Sequence, residues 1–294
     1  MQILLKKYKK YLITLILLIV ISLSIGGTVT AQKPTIAVTI VPQIEMLRGI
    51  AGDKVEIVEM IPAGFSPANY SPSPSEMIAF NKAEIYFSIG VPADRQNILP
   101  RAEEIDGLNV VKLFEIVDEK YPPRYFDHGR DPHIWLSPKR SAYMVEIMRD
   151  ELISLMPEFE KEFAENAQSY LNKLQEVDNK NKELLEPYQG EEILVYHPSF
   201  GYFTEHYGLE MLAIEEHGKD PGPKHIQEII DKARENNISS VFYQAEIDSK
   251  KTRAIAEELN GETIKLNPLA ENYLENISDL AAVFARVLEE RVEK

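Results

Sequence analysis

The 294-residue sequence predicts an α/β protein with two similar lobes, each a mostly parallel sheet flanked by helices, joined by a long rigid backbone helix. Three observations support this fold class. Short apolar runs alternate with longer stretches of helical period, the runs fall into two groups of four, and a long strand-free stretch separates the groups. Such alternation is typical of α/β architecture with parallel sheets.

The strand candidates are short runs rich in Ile and Val. The first group comprises "TIAVTIV" (35–41), "VEIVEMI" (55–61), "EIYFSIG" (84–90) and "NVVKLF" (109–114). The second group comprises "EILVYH" (192–197), "EMLAI" (210–214), "SSVFYQ" (239–244) and "ETIKL" (262–266). Four strands, a gap and four more strands predict two lobes of similar layout.

The gap predicts the helix that joins the lobes. Residues 138–187 contain no glycine, and their apolar residues recur at threes, fours and sevens, which indicates amphipathic helices. A break near Pro157 leaves a second helix over 158–185, roughly 40 Å long at about 1.5 Å per residue. We expect a rigid strut that allows only small opening motions. The expected division is an N-terminal lobe over 34–157, a linking helix over 158–187 and a C-terminal lobe over 188–294.

The amino terminus predicts export. Four lysines precede an apolar stretch over 12–27, and the small residues Val29 and Ala31 follow it, which is the pattern of a signal peptide over 1–31. The stretch approaches the roughly 18–20 residues that span a bilayer, so the alternative is that it is not cleaved and serves as a membrane anchor. Either form predicts a periplasmic or cell-surface protein. The sequence contains no cysteine, so it offers neither the usual lipid attachment of a lipoprotein nor a disulfide.

The charge excludes one class of partner. The formal net charge is −15, and removal of residues 1–31, which carry four lysines and no acid, makes it −19. So acidic a chain is not expected to bind nucleic acid. The acids are spread along the helices rather than gathered in a block, which is typical of a solvated surface.

Candidate binding residues follow the predicted strands. In open α/β sheets, ligands bind beyond the carboxyl ends of the strands. The loop "GFSPANYSPSPSE" (64–76) follows the second strand, His197 ends the fifth and Asn267 follows the eighth, while His133 lies in "DPHIWLSP" before the linking helix. No H-E-x-x-H or zinc-finger spacing is present. The histidines are therefore either hydrogen-bonded rim residues or ligands that converge from two facing lobes.

Several motifs together resemble a known family. "DPHIWLSP", "VYHPSFGYF", "SPANYSPSPSE", "VFYQAEIDSKKTRAIAEELNG", "LNPL" and the long central helix are similar to the solute-binding proteins of zinc and manganese ABC transporters, over about residues 34–290. The resemblance implies a two-lobed receptor that captures a divalent metal ion between its lobes and hands it to a membrane permease. It also implies an extracytoplasmic location, and one-to-one binding needs only a monomer.

The resemblance also implies a ligand set. The family's second and third metal ligands fall on His133 and His197, and a histidine at the third place is the choice that favours zinc. Ala68 stands where the family has its first histidine, and Asn267 stands where it has an acid. The metal site is thus expected to comprise His133, His197 and Asn267. Further candidates for the ligand cleft are Asn69, Tyr70, Gln244, Glu246 and His217, the last beside Glu215 and Glu216. For Asn69, Glu246 and His217 the alternative, which we favour, is a solvated loop residue.

Three functional hypotheses follow. The first is a metal receptor with an altered ligand set, for zinc first and manganese next. The second is a receptor of the same fold that binds a non-metal ligand or a metal chelate through amide and hydroxyl groups. The third is an enzyme, against which the chain lacks cysteine, a G-x-S-x-G elbow, a Walker loop and a G-x-G-x-x-G motif.

Overall fold

Two four-stranded parallel sheets form the frame of the computed structural model, which describes residues 33–126, 129–215, 221–244 and 249–292. The first sheet has the order β2-β1-β3-β4. Its strands are β1 (Thr35–Ile40), β2 (Glu56–Ile61), β3 (Ala83–Ser88) and β4 (Asn109–Lys112). The helices that accompany them are α1 (Pro42–Ala51), α2 (Pro74–Phe80), α3 (Leu99–Ala102) and α4 (Leu113–Lys120).

The second sheet repeats this topology. Its strands are β7 (Glu192–Val195), β8 (Glu210–Ala213), β9 (Val241–Gln244) and β10 (Thr263–Leu266), in the order β8-β7-β9-β10. Its helices are α7 (Gly201–Tyr207), α8 (Pro223–Glu235), α9 (Ser249–Glu258) and α10 (Tyr273–Val292). In both sheets the strand that is second in chain order lies at one edge, and the strands that are first, third and fourth in chain order lie beside it in that sequence. The predicted fold class of two similar parallel lobes is confirmed.

The strand boundaries differ slightly from the predicted ones. The fourth predicted strand reached residue 114, whereas β4 ends at Lys112 because helix α4 begins at Leu113. The fifth reached His197, whereas β7 ends at Val195 and leaves His197 in the following loop. A short antiparallel hairpin of β5 (Tyr125–Phe126) and β6 (Gly129–Arg130) was not predicted, since two-residue strands carry no periodic signal.

The predicted linking helix is present. Helix α5 (Pro138–Leu155) leads to a 3₁₀ turn (Pro157–Phe159) and then to α6 (Glu160–Leu185), which has 26 residues. Pro157 has no N–H to continue α5, so the helix ends just before it. The buried positions of α6 recur every three or four residues, and this face packs against α1, α5 and α10. Helix α6 therefore contacts helices that belong to both sheets.

The apolar stretch and its small-residue end, residues 1–31, lie outside the described residues. Within the described ranges, the structure contains no helix that is both long enough and apolar enough to cross a membrane.

Two leucines of α6 provide a test of its role as the common support. Leu174 is 2% exposed in the core and Leu184 is 42% exposed. We expect Leu174→Ala to lower the free energy of unfolding by about 2–5 kcal/mol, because it opens a cavity. Leu184→Ala is the matched control and should change it by less than about 1 kcal/mol. Urea unfolding measures both, and equal effects would contradict the packing of α6.

Candidate functional site

A cleft of about 730 Å³ lies at the carboxyl ends of strands from both sheets. The loop after β2 contributes Ser66, Pro67 and Ala68, and Gly90 follows β3. From the second sheet, the lining includes a residue at or after the end of each strand: His197 after β7, Glu215 after β8, Gln244 at the end of β9 and Pro268 after β10. The strand topology therefore places side chains from distant parts of the sequence around one cavity, as expected for open α/β sheets.

Two histidines meet in this cleft. The ring centroids of His133 and His197 lie 5.3 Å apart, with the rings nearly perpendicular at 76°. His133 comes from the segment between β6 and α5, and its side chain is 11% exposed. His197 comes from the loop after β7, and its side chain is 23% exposed. Imidazoles from two segments that are distant in sequence thus face the same space.

Each imidazole is paired with a carboxylate through Nδ1. Nδ1 of His133 lies 2.8 Å from Oδ1 of Asp131, whose side chain is fully buried. Nδ1 of His197 is hydrogen-bonded to Oε2 of Glu215. A carboxylate accepts from the N–H of a neutral ring, which fixes the tautomer and leaves Nε2 as the nitrogen with an available lone pair. Such carboxylate–histidine pairs orient and strengthen imidazoles as metal ligands.

The surroundings keep His133 neutral. Burial lowers the pKa of His133, the nearby Asp131 opposes that change, and His197 and Arg130 lower the pKa further by repulsion. A neutral imidazole is the form that binds a metal ion. His133 is therefore ready to act as a ligand at neutral pH without first losing a proton.

Other contacts fix the walls of the cleft. Nε1 of Trp135 donates to the carbonyl of Pro268 at 2.8 Å, which ties the segment after His133 to the loop after β10. Arg130 pairs with Asp118, with Nη2 at 2.7 Å from Oδ1. The amide of Gln244 donates to the hydroxyl of Ser199. Much of the polar lining is thus held by neighbouring side chains.

The predicted site residues divide into three sets. His133, His197 and Gln244 line the cleft, and so does Ala68. Asn267, Asn69 and Tyr70 are not among its lining residues. Asn267 is exposed and its Oδ1 accepts from the backbone N–H of Leu269 at 3.0 Å, while the Tyr70 hydroxyl donates to Glu76 at 2.5 Å. His217 and Glu246 lie outside the described residues.

Sequence reasoning did not predict that carboxylates hold the two histidines. Asp131 could have been found from its place two residues before His133. Glu215 was a candidate only as a substitute metal ligand beside His217, and nothing in the sequence linked it to His197. Among the described residues, no group of three or more His, Cys, Asp or Glu side chains is arranged to hold a metal ion. The carboxylates meet Nδ1 atoms instead, so the pair of imidazoles is the core of the candidate site.

The lowered pKa of His133 predicts how stability depends on pH in the metal-free protein. In the unfolded chain, His133 takes up a proton near its ordinary pKa of 6.5. In the folded protein, burial lowers this pKa. The free energy of unfolding is therefore highest above about pH 6.5 and falls as the pH drops below that value towards the lowered pKa of folded His133. His133→Gln should flatten this dependence in urea unfolding series between about pH 5 and 8. An unchanged slope would show that His133 does not contribute to it.

Comparisons with known proteins place the chain in a family. The model of ZnuA, described as zinc-uptake complex component A, periplasmic, matches residues 36–287. The zinc-binding lipoprotein AdcA of Streptococcus pneumoniae strain R6 is 26% identical over 261 residues, which cover 81% of this chain and 50% of AdcA. The manganese-binding lipoprotein MntA of Halalkalibacterium halodurans is 27% identical over 210 residues, 69% of this chain and 68% of MntA.

A solved structure agrees with the sequence comparisons. A crystal structure of ZnuA superposes with a TM-score of 0.82 at 28% identity, covering 87% of this chain and 100% of that one. The chain spans about half the length of the streptococcal relative. The family match extends over both sheets and the helix between them. The chain therefore belongs to the ZnuA family of periplasmic zinc-uptake components, a family of solute-binding metal receptors rather than enzymes.

Proposed function

We propose that this protein is the extracytoplasmic solute-binding protein of an ABC importer and that it captures a divalent transition metal ion, zinc before manganese, in the cleft between its sheets. The observation that carries the proposal is the meeting of His133 and His197, each with a carboxylate on Nδ1. Both Nε2 atoms are then left to bind one ion. The expected ligand set also included Asn267, whose contribution the exposed position does not support.

The spacing of the imidazoles suits a single ion. Zinc binds imidazole nitrogen at about 2.0–2.1 Å with tetrahedral angles, which places the two ring centroids roughly 5 Å apart. The observed separation is 5.3 Å. Imidazole favours zinc over manganese, because manganese lies at the weak end of the affinity series and prefers oxygen ligands. The names of AdcA and MntA, which bind zinc and manganese respectively, support a metal cargo of this kind.

The ligand set is incomplete relative to the family. Zinc takes four ligands, and Ala68 and Asn267 replace two that the resemblance implies. Solvent or residues outside the described ranges, such as His217 or Glu246, would complete the shell. We therefore expect weaker binding than a site with four protein ligands would give.

We also propose where the protein acts, which partner receives its cargo and how its lobes are divided. The protein is exported, either with a cleaved signal peptide or with residues 1–31 as an anchor, and it delivers its cargo to a membrane permease as a monomer. The lobes comprise residues 34–157 and 188–294, joined by 158–187. The family's description as a periplasmic uptake component supports export and the permease partner.

One observation favours a second candidate function. The cleft of about 730 Å³ is far larger than a bare ion, and Arg95, Gln96 and Gln244 contribute polar groups to it. A metal chelate or a small organic ligand would fill this space better. In that case the Nε2 atoms of the imidazoles would bind the metal of the chelate or accept hydrogen bonds from the ligand.

Metal titration separates these candidates. We expect the wild type to bind zinc with micromolar or tighter affinity, and manganese more weakly, in calorimetry, with zinc present by mass spectrometry after purification without added metal. His133→Ala and His197→Ala should each weaken zinc binding at least tenfold, because each removes one of two protein nitrogens. His206→Ala is the matched control, since His206 pairs with Asp178 away from the cleft. Absence of zinc binding by the wild type would overturn the proposal and leave the second candidate.

Restoring the family ligands provides a further prediction. Ala68→His places an imidazole on the cleft wall and should raise zinc affinity about tenfold or more. Asn267→Asp alone should raise it little, because the side chain of Asn267 is directed to its own turn, where an aspartate would accept the same hydrogen bond. Competition titration with a chromophoric zinc chelator measures both variants. A large gain from Asn267→Asp alone would show that the loop after β10 turns into the cleft when zinc binds.

A further inference from the structure

The segment that carries His133 is tied to the helix that follows His197 by one buried hydroxyl group. Tyr202 lies at the start of α7, five residues after His197, and is fully buried. Its hydroxyl accepts from the backbone N–H of Arg124 at 2.9 Å and donates to the backbone carbonyl of Asp131 at 3.2 Å. A single side chain therefore joins the two polypeptide segments that supply the imidazoles.

The two partners of this hydroxyl form the base of the β5–β6 hairpin. The N–H of Asp131 donates to the carbonyl of Arg124 at 2.9 Å, which closes the hairpin. Asp131 then holds His133 through both the ring and the backbone N–H, at 2.8 and 3.0 Å. The path from Tyr202 to the ring of His133 thus consists of successive short contacts. A shift of α7 against the hairpin would move one imidazole relative to the other.

The side chain of Asp131 has little other support. Its Oδ2 is buried without a hydrogen-bond partner, and so is Nε of Arg124, 3.7 Å away. That distance is too long for a hydrogen bond. Arg124 is instead drawn to the surface, where Nη1 donates to Glu205 of α7 at 2.6 Å. Because Oδ2 accepts no hydrogen bond and meets Arg124 only in this longer ion pair, the position of the Asp131–His133 pair depends largely on how the backbone is fixed.

We infer that Tyr202 is a positioning residue for metal capture: its hydroxyl sets the separation of His133 and His197, although it does not touch the ion. This inference rests on the proposed metal-binding function. Contacts that orient metal ligands without binding the metal typically change metal affinity about 10–100-fold when removed. Tyr202 acts further from the ion than a direct partner of a ligand does, so the lower end of that range applies.

Helix α7 contains a matched control. Tyr207 is also buried, and its hydroxyl also accepts a hydrogen bond, from Nδ2 of Asn181 at 3.2 Å, but it faces α6 rather than the hairpin. Tyr202→Phe and Tyr207→Phe each remove one buried hydroxyl and keep the ring. We expect both variants to lose stability in thermal unfolding. Only Tyr202→Phe should weaken zinc binding, by about tenfold, and alter the visible absorption spectrum of the bound Co²⁺ ion.

The outcomes distinguish this inference from the proposed function. If the wild type binds no zinc, the proposed function fails and the role of Tyr202 fails with it. If the wild type binds zinc and both tyrosine variants match it in affinity and Co²⁺ spectrum, only the role of Tyr202 is overturned. Equal losses in both variants would also overturn it, since they would reflect general destabilisation.

A second variant covers the case in which Tyr202→Phe does not fold. Glu205→Gln removes the exposed pair between Arg124 and α7 and leaves the core intact. It should weaken zinc binding about twofold, in keeping with the small contribution of exposed ion pairs. An affinity equal to that of the wild type would then count against the tie between α7 and the hairpin.

Discussion

The geometry of the cleft depends on the way the two parallel sheets are held with their carboxyl ends at a common space. Each sheet has the same strand order, and the lining comes from the segments after β2 and β3 of the first sheet and from residues at or after the ends of β7, β8, β9 and β10 of the second. Helix α6 packs against helices that belong to both sheets, so the two halves share one support. We expect this helix of 26 residues to allow only small opening motions. The separation of the two imidazoles is therefore a property of the whole fold.

The carboxylates on the two Nδ1 atoms alter the electrostatics that the ligand set alone would imply. Two neutral imidazoles bring no charge to offset a divalent ion, and burying an unpaired charge is strongly unfavourable. Asp131 and Glu215 supply two negative charges one ring away from the Nε2 atoms. These carboxylates can offset the charge of a bound ion without coordinating it, and their hydrogen bonds also orient the rings. The site is thus better suited to a cation than a count of direct ligands indicates.

Membership in the ZnuA family identifies the class of protein, and the residues of the cleft bear on which ligand this chain binds. Its relatives include proteins named for zinc and for manganese, so family membership by itself does not select the metal. The proposed preference for zinc rests on imidazole nitrogen in the cleft and on the spacing of the rings. Ala68 on the cleft wall and the turned-away Asn267 mark the two places where the chain departs from the ligand set that the resemblance implies.

The sequence alone determined the order of strands and helices, the break at Pro157, the long helix and the two histidines, because period, proline and motif spacing are local properties of the chain. It could not determine which loop side chains converge. Asn69, Tyr70 and Asn267 follow strands as expected, yet their hydrogen bonds or exposure keep them out of the cleft lining, whereas Glu215 meets His197. Only the tertiary structure decided which of these side chains line the cleft. It also decided the pairing of Glu215 with His197 and the tie through Tyr202, since both join residues that are separated in sequence and lie close only once the chain is folded.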